Sequence, residues 1–132
     1  MNNLSSYLET ALLNHVFRGV PYTPPSAIYV ALYTSNPTKM DTGQEVVGGS
    51  YVRRTVIFNV PALESNIKTI KNNADLVFPT ATANWNAVTH IGLRDAASGG
   101  NLLMFGDLQD VRSILTNDIF KFLVGQLQLS LS

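Results

Sequence analysis

The residues best suited to chemistry gather in one stretch, Val88 to Leu108, "VTHIGLRDAASGGNLLMFGDL". It contains His90, one of 2 histidines in the sequence, with Arg94, Asp95 and a Ser-Gly-Gly loop close behind. A phosphate cradle needs its glycines between a strand and the N-terminus of a helix, and usually a Lys for the outer phosphates. Here the glycines lead into "NLLMFG", which has strand spacing, and the loop has no Lys. The stretch therefore reads as a β-hairpin with its turn at "AASGGN". His90 and Asp95 do not make a catalytic pair, because their odd spacing on a strand sends them to opposite faces. His90 is left to hydrogen-bond Arg94 or Asp107, or to lie half buried beside Trp85 or Phe105.

Other chemistries fare no better. His15 lies near the end of an N-terminal helix, where the helix dipole mildly favours a cation, and it has no second histidine at ligand spacing. The sequence has 0 cysteines, which removes disulfides, thiolate nucleophiles and the commoner structural zinc sites. Asp107 and Asp110 in "DLQD" offer too few oxygens for calcium. No "GxSxG" elbow is present, and no carboxylate pair stands out among the 9 acids. We expect no catalytic, metal or cofactor-binding residue. Three residues are left for recognition. Adjacent arginines on a strand point apart, so one of Arg53 and Arg54 is expected in water and the other in an interface ion pair. Trp85 in "ANWNA", the sole tryptophan, is either an exposed platform for a sugar or, the favoured reading, a core or interface anchor.

The elements that must position these residues are mostly strands. "SYLE" at Ser6 to Glu9 fits a capping box and starts a helix over about 6–17. Leu8, Leu12 and Val16, with Leu13 and Phe17, recur at helical steps, and Gly19 and Pro21 close the element. The helix plugs an end of the domain or packs on a partner. From Ala27 the period becomes two. "AIYVALY" reads as a central strand, and further strands are expected at Tyr51–Phe58, Ala74–Pro79, Ala87–Asp95, Leu102–Leu108, "IFKFLV" and "QLQLSLS". Asn59 to Asn73 resists assignment, and Gln109 to Asp118 reads as a connection. Ile28, Val30, Leu32, Val56, Phe58, Ile91, Leu93 and Leu103 form the expected core. The fold class is mainly β, an antiparallel β-sandwich or barrel-like domain with one short N-terminal amphipathic helix, and residues 1–132 make a single domain.

Composition narrows the partners. Lys plus Arg number 9 and Asp plus Glu 9, a net charge of +0, so there is no basic field for nucleic acid or an anionic membrane face. The longest purely apolar run, Ala27 to Tyr33, is far too short to span a membrane. Charged residues make up 14%, well below the roughly 25% of an average soluble domain. A surface so poor in charge is expected to be covered in part by other protein.

The segments "LLNHVFRGVPYTPPSAIYVALYTSNPT", "GGSYVRRTVIF", "FPTATANWNAVTHIGLRDAASGGNLLMFGDL" and "GQLQLSLS" make up most of the chain. Together they resemble a family of small β-rich virion proteins of tailed bacteriophages. The resemblance implies a non-enzymatic structural protein of the virion, assembled in the cytoplasm of the bacterial host, with no catalytic motif to carry over. Two placements follow. The absence of a stalk heptad or separate receptor domain favours a capsid cement or decoration protein, clamping the major capsid protein and copies of itself. The alternative is a tail or tail-fibre component with tail proteins as partners, and glycan binding if Trp85 is exposed. In either placement the expected contact residues are Tyr7 and His15 on the helix, Met40, Val46 and Val47 in the loop Thr38–Ser50, and Arg53, Arg54 and Trp85.

Overall fold

A computed structural model of the chain describes residues 1–131. It is mainly β, with antiparallel sheets, one N-terminal helix and, among the described residues, no closed barrel. In chain order the elements are β1 (Asn3–Leu4), α1 (Ser6–Arg18), β2 (Ile28–Tyr33), β3 (Arg54–Val56), β4 (Ala62–Glu64), β5 (Ile67–Lys71), β6 (Leu76–Val77), β7 (Asn86–Arg94), β8 (Leu102–Ile114), β9 (Lys121–Phe122) and β10 (Gln128–Ser130). A 5-stranded sheet runs β1-β8-β7-β2-β3, a 3-stranded one β10-β5-β4, and β6 pairs with β9.

The core lies between these sheets. Val30, Leu32, Val56, Ile91, Leu93 and Leu103 are buried there as expected, with Ile28 and Phe58 packed at its margin. Phe78, Trp85, Val88, Ile114, Phe120, Leu127 and Leu129 complete it. Strict alternation fails on β7. Val88 and Ile91 both reach the core, although their odd spacing would put them on opposite faces. The register explains this: Val88 faces Arg112 while His90 faces Asp107, so Leu108 to Val111 bulge opposite Thr89 alone. A bulge of this kind resets which side chains face inward. The same bulge lets β8 continue to Ile114, through what the sequence suggested was a connection.

Three other expectations are corrected. The strand expected over Tyr51–Phe58 shrinks to Arg54–Val56, because the edge of β2 beyond Val30 is already occupied. The Val46 amide donates to the Leu32 carbonyl at 3.0 Å and the Thr34 amide to Gln44 at 2.9 Å. The unassigned segment is the hairpin β4–β5, whose two-residue turn has Ser65 at φ 50° and Asn66 at φ 68°. Left-handed conformations at both turn positions match the twist of the flanking strands, and Asn tolerates them.

The helix cap is the third. Ser5, not Ser6, caps α1: its hydroxyl accepts from the Leu8 amide at 3.1 Å and donates to the Leu102 carbonyl. The Ser6 amide instead donates to the Lys39 carbonyl at 2.9 Å, and Lys39 pairs with Glu9. At the far end Gly19 takes the left-handed conformation, φ 69°, as a glycine after a helix commonly does. The first turns are thus tied to β8 and the Lys39 loop. No side chain of α1 is fully buried.

Candidate functional site

The turn that joins β7 to β8 is braced both from within and by two arginines. Its ends close on themselves: the Asp95 carboxylate accepts from the Asn101 amide at 2.7 Å and from its side chain at 3.0 Å. These bonds outweigh the cost of burial and hold the Asp95 carboxyl below its ordinary pKa. Gly99 and Gly100 sit at φ 62° and 72°, positions that L side chains adopt only with strain.

Two arginines then grip the turn from its carbonyl side. Arg94, on β7, donates to the carbonyls of Gly99 and Gly100 at 3.1 and 2.9 Å. Its guanidinium also forms a bidentate pair with Asp41, at 2.7 and 2.8 Å, and reaches the Tyr33 hydroxyl at 3.0 Å. Arg53 donates to the carbonyls of Ala96 and Gly99 at 2.8 and 2.9 Å, and its other edge is bidentate to Glu45 at 2.8 Å. Tyr51 adds a hydroxyl donor to Glu45 at 2.6 Å, while accepting from the Leu32 amide at 3.0 Å.

The electrostatics follow from this geometry. Burial opposes the Arg94 charge, but the Asp41 carboxylate and the Tyr33 hydroxyl outweigh it and raise its pKa. Burial likewise opposes ionisation of Glu45, and the Arg53 and Tyr51 hydrogen bonds outweigh it, so Glu45 is held below the usual carboxylate range. Burial, reinforced by the Glu45 carboxylate, pushes the Tyr51 hydroxyl well above its ordinary value. All these charges are spent on one another and on the turn. Bidentate Arg–carboxylate forks fix position as well as energy, so the assembly works as a brace. It presents carbonyl oxygens to cations, the reverse of an anion cradle.

The other histidine chemistry is local too. His90 Nε2 lies 3.2 Å from Asp107 Oδ1, directly across the sheet, and Nδ1 lies 2.7 Å from the Thr89 hydroxyl. His15 Nδ1 binds the Val20 carbonyl at 2.9 Å, next to the helix cap. Among the described residues no three or more His, Cys, Asp or Glu gather as a metal ion would require.

The expected contact residues divide into three groups. Tyr7, His15, Met40, Val47 and Arg54 are exposed. Val46 and Trp85 are core residues, 4% and 1% accessible, and Arg53 is committed to Glu45 within the chain. Trp85 therefore offers no sugar platform. Its indole N–H donates to the Gly49 carbonyl at 2.9 Å and its ring meets Tyr51 edge-on at 5.5 Å. Gly49 is required there, because a Cβ would stand 2.7 Å from the indole nitrogen.

Sequence reasoning missed the two braces, Arg94 with Asp41 and Arg53 with Glu45. Glu45, in the loop Thr38–Ser50, lies a short way before Arg53 and offered a local signal for that pair, whereas Asp41 and Arg94 are distant in sequence and offered none. It also missed that Leu13, Val16 and Phe17 face outward, 59%, 63% and 78% accessible.

The family model described as Podophage GP4 fiber I protein gp80 matches residues 3–130. No curated protein matches the chain. The match meets the tail-fibre alternative and gives no support to the capsid cement placed ahead of it. The absence of a stalk, which had favoured cement, says nothing about how a small protein is built into a larger fibre. With nearly its whole length matched, the chain belongs to the family of podophage GP4 fiber I protein gp80, a non-enzymatic structural family of the phage virion.

Proposed function

We propose that the protein is a tail-fibre component of a podophage virion, acting as one domain over residues 1–132 and working through contacts with copies of itself and with neighbouring tail or fibre proteins. The family match over residues 3–130 carries this reading. The distribution of groups supports it. Arg53, Arg94, Asp41 and Glu45 are consumed inside the fold, while Met40, Val47 and Phe17 stand 72%, 79% and 78% accessible. These polar groups are turned inward, and apolar groups that protein contacts use are turned outward. Of the contact residues, Tyr7, His15, Met40, Val47 and Arg54 remain available to a partner. Val46 contributes from below by holding Val47 at the surface.

The test is position and copy number in the virion. Quantitative mass spectrometry of purified particles should give a few to a few dozen copies, and gold-labelled antibody should decorate the tail. Hundreds of copies with label spread over the head would overturn the reading in favour of capsid cement.

A further inference from the structure

One set of polar groups escapes the inward turn taken by the braces. Between the second half of β8 and the chain from β9 to β10 lies an open groove of about 440 Å³, within the roughly 300–1,000 Å³ of small-molecule sites. Its floor is apolar, with Ile91, Phe120 and Leu127 buried at the base. Its rim is polar: Asp107, Gln109, Asp110 and Arg112 come from β8, and Lys121 from β9. A few placed polar groups over an apolar base is the usual make-up of a ligand site.

The β8 bulge builds this rim. On an unbroken strand Asp107 and Gln109 would face one way, and Asp110 and Arg112 the other. The extra residues opposite Thr89 bring both sets to one groove. Bulges give up ladder hydrogen bonds to re-aim side chains in this way, and they are over-represented beside active sites. The fold itself makes little use of the groups so aimed. Among the described residues Gln109, Asp110 and Lys121 form no hydrogen bond or ion pair, and Arg112 makes only a cation–π contact, its guanidinium 5.9 Å from the centre of the Phe120 ring. The other charged side chains as free as these, Arg54 and Lys68, lie outside the groove.

We infer that the groove binds a neutral carbohydrate. The two carboxylates are matched by a guanidinium and an ammonium, so the rim has no net sign with which to recruit an anion or a cation. The free groups also call for a ligand that donates and accepts at neighbouring atoms: an ionised Asp110 only accepts, Arg112 and Lys121 only donate, and the Gln109 amide does both. Adjacent hydroxyls, each a donor and an acceptor, serve all of them, whereas a zwitterion satisfies the charges and leaves the amide unmatched. The ring carbons of a sugar supply an apolar side for Phe122, which is half-buried in the wall and lies edge-on to Phe120 at 5.2 Å. This inference adds a ligand to the proposed fibre role and does not rest on it.

The experiment follows the amide resonances of the full-length chain while glucose, galactose, mannose and N-acetylglucosamine are each added to about 50 mM, well past the millimolar range of weak small ligands. Glycine and sulfate serve as the zwitterionic and anionic probes. At least one sugar should give saturable shifts in residues 107–112 and 120–128 and leave residues 96–100 unmoved. Asp110→Ala with Lys121→Ala removes two charged hydrogen-bonding groups and should weaken that binding about tenfold or more, with the far-ultraviolet β signal and thermal midpoint unchanged. Arg54→Ala should bind like the wild type. No saturable shift at the groove with any of the sugars, tighter binding there of glycine or sulfate, or a folded double variant that binds as tightly would each overturn the inference. If the double variant failed to fold, Lys121→Gln read in the same way would decide. None of these outcomes bears on the position of the protein in the virion.

Discussion

At the β7–β8 turn every charge finds its partner inside the chain; along the outer face of α1 the apolar groups Leu13, Val16 and Phe17 stay exposed. The turn is a loop of small residues, the kind of segment that is ordinarily mobile, yet two buried guanidiniums, two carboxylates and two tyrosine hydroxyls hold it. The helix has regular backbone hydrogen bonds and a sound cap, yet no side chain of its own is fully buried. Regular secondary structure and burial have come apart in this molecule. The difference teaches that partner contacts are to be sought where apolar surface is left over, and stability where polar groups have been taken in.

If that division is right, damage around the brace costs stability. The largest effect is expected at Trp85, which lies under the brace against Tyr51 and is 1% accessible. Trp85→Ala should destabilise by about 3–5 kcal/mol, the range for deleting a buried aromatic side chain. Gly49→Ala pushes a Cβ into the indole at a left-handed φ of 58° and should cost about 2 kcal/mol. Urea denaturation read by tryptophan fluorescence measures the second, and far-ultraviolet circular dichroism the first. Unchanged midpoints would mean that the aromatic cluster is not what carries the turn.

Next in size is Arg94. Arg94→Ala strands Asp41, the Tyr33 hydroxyl and two carbonyls of the turn. Breaking a fully buried ion pair costs about 3–5 kcal/mol; with the Asp41 side chain 37% accessible, solvent recovers part of that, and about 2 kcal/mol is expected. Arg94→Lys should recover little, because an ammonium cannot span the carboxylate and the two carbonyls together. Amide exchange in residues 96–100 should rise in both variants. If exchange there stays at the wild-type rate, the turn is stiff for another reason.

The brace also carries a pH signature. Glu45 is held below its ordinary value of 4.5, so the folded state binds fewer protons than the unfolded chain in that region and stability rises with pH. The contribution is complete above pH 4.5 and is lost as pH falls through the depressed folded value. Asp95, also depressed, acts in the same sense. Glu45→Gln should be less stable than the wild type at neutral pH, and the gap should narrow as pH falls through the depressed folded value, where the wild-type carboxylate is protonated too. Urea titrations of both proteins across that range give the comparison, and a constant gap would remove the Glu45 charge from the account.

How much of this was legible depends on the range of the interactions. Strand β2 could be read from alternation alone, because Ile28 to Tyr33 needs only local spacing and flanking turn residues. The hairpin around Gly99 and Gly100 was legible for the same reason, and so was the absence of a phosphate site. The bulge opposite Thr89 was not, since a register is a relation between two strands and neither carries it alone. Arg94 with Asp41 likewise joins positions distant in sequence, and no pattern in either neighbourhood fixes the pairing. Trp85 could be narrowed to anchor or platform, and burial decided it. On α1 the periodicity of Leu8, Leu12, Leu13, Val16 and Phe17 was plain. Periodicity gives a stripe, however, and with apolar residues on two sides it does not say which side meets the core.

The smallest effect on stability, and the sharpest contrast with the brace, is expected on that outer side. Phe17→Asp removes no internal contact of consequence and should change stability by no more than about 0.5 kcal/mol, as for exposed sites generally. Thermal melts of the wild type, Phe17→Asp and Arg94→Ala at one protein concentration make the contrast direct. Phe17→Asp should melt with the wild type and Arg94→Ala below both, because the brace and the stripe do different jobs. A Phe17→Asp variant that melted as low as Arg94→Ala would mean that the outer side of α1 is packed against the fold after all.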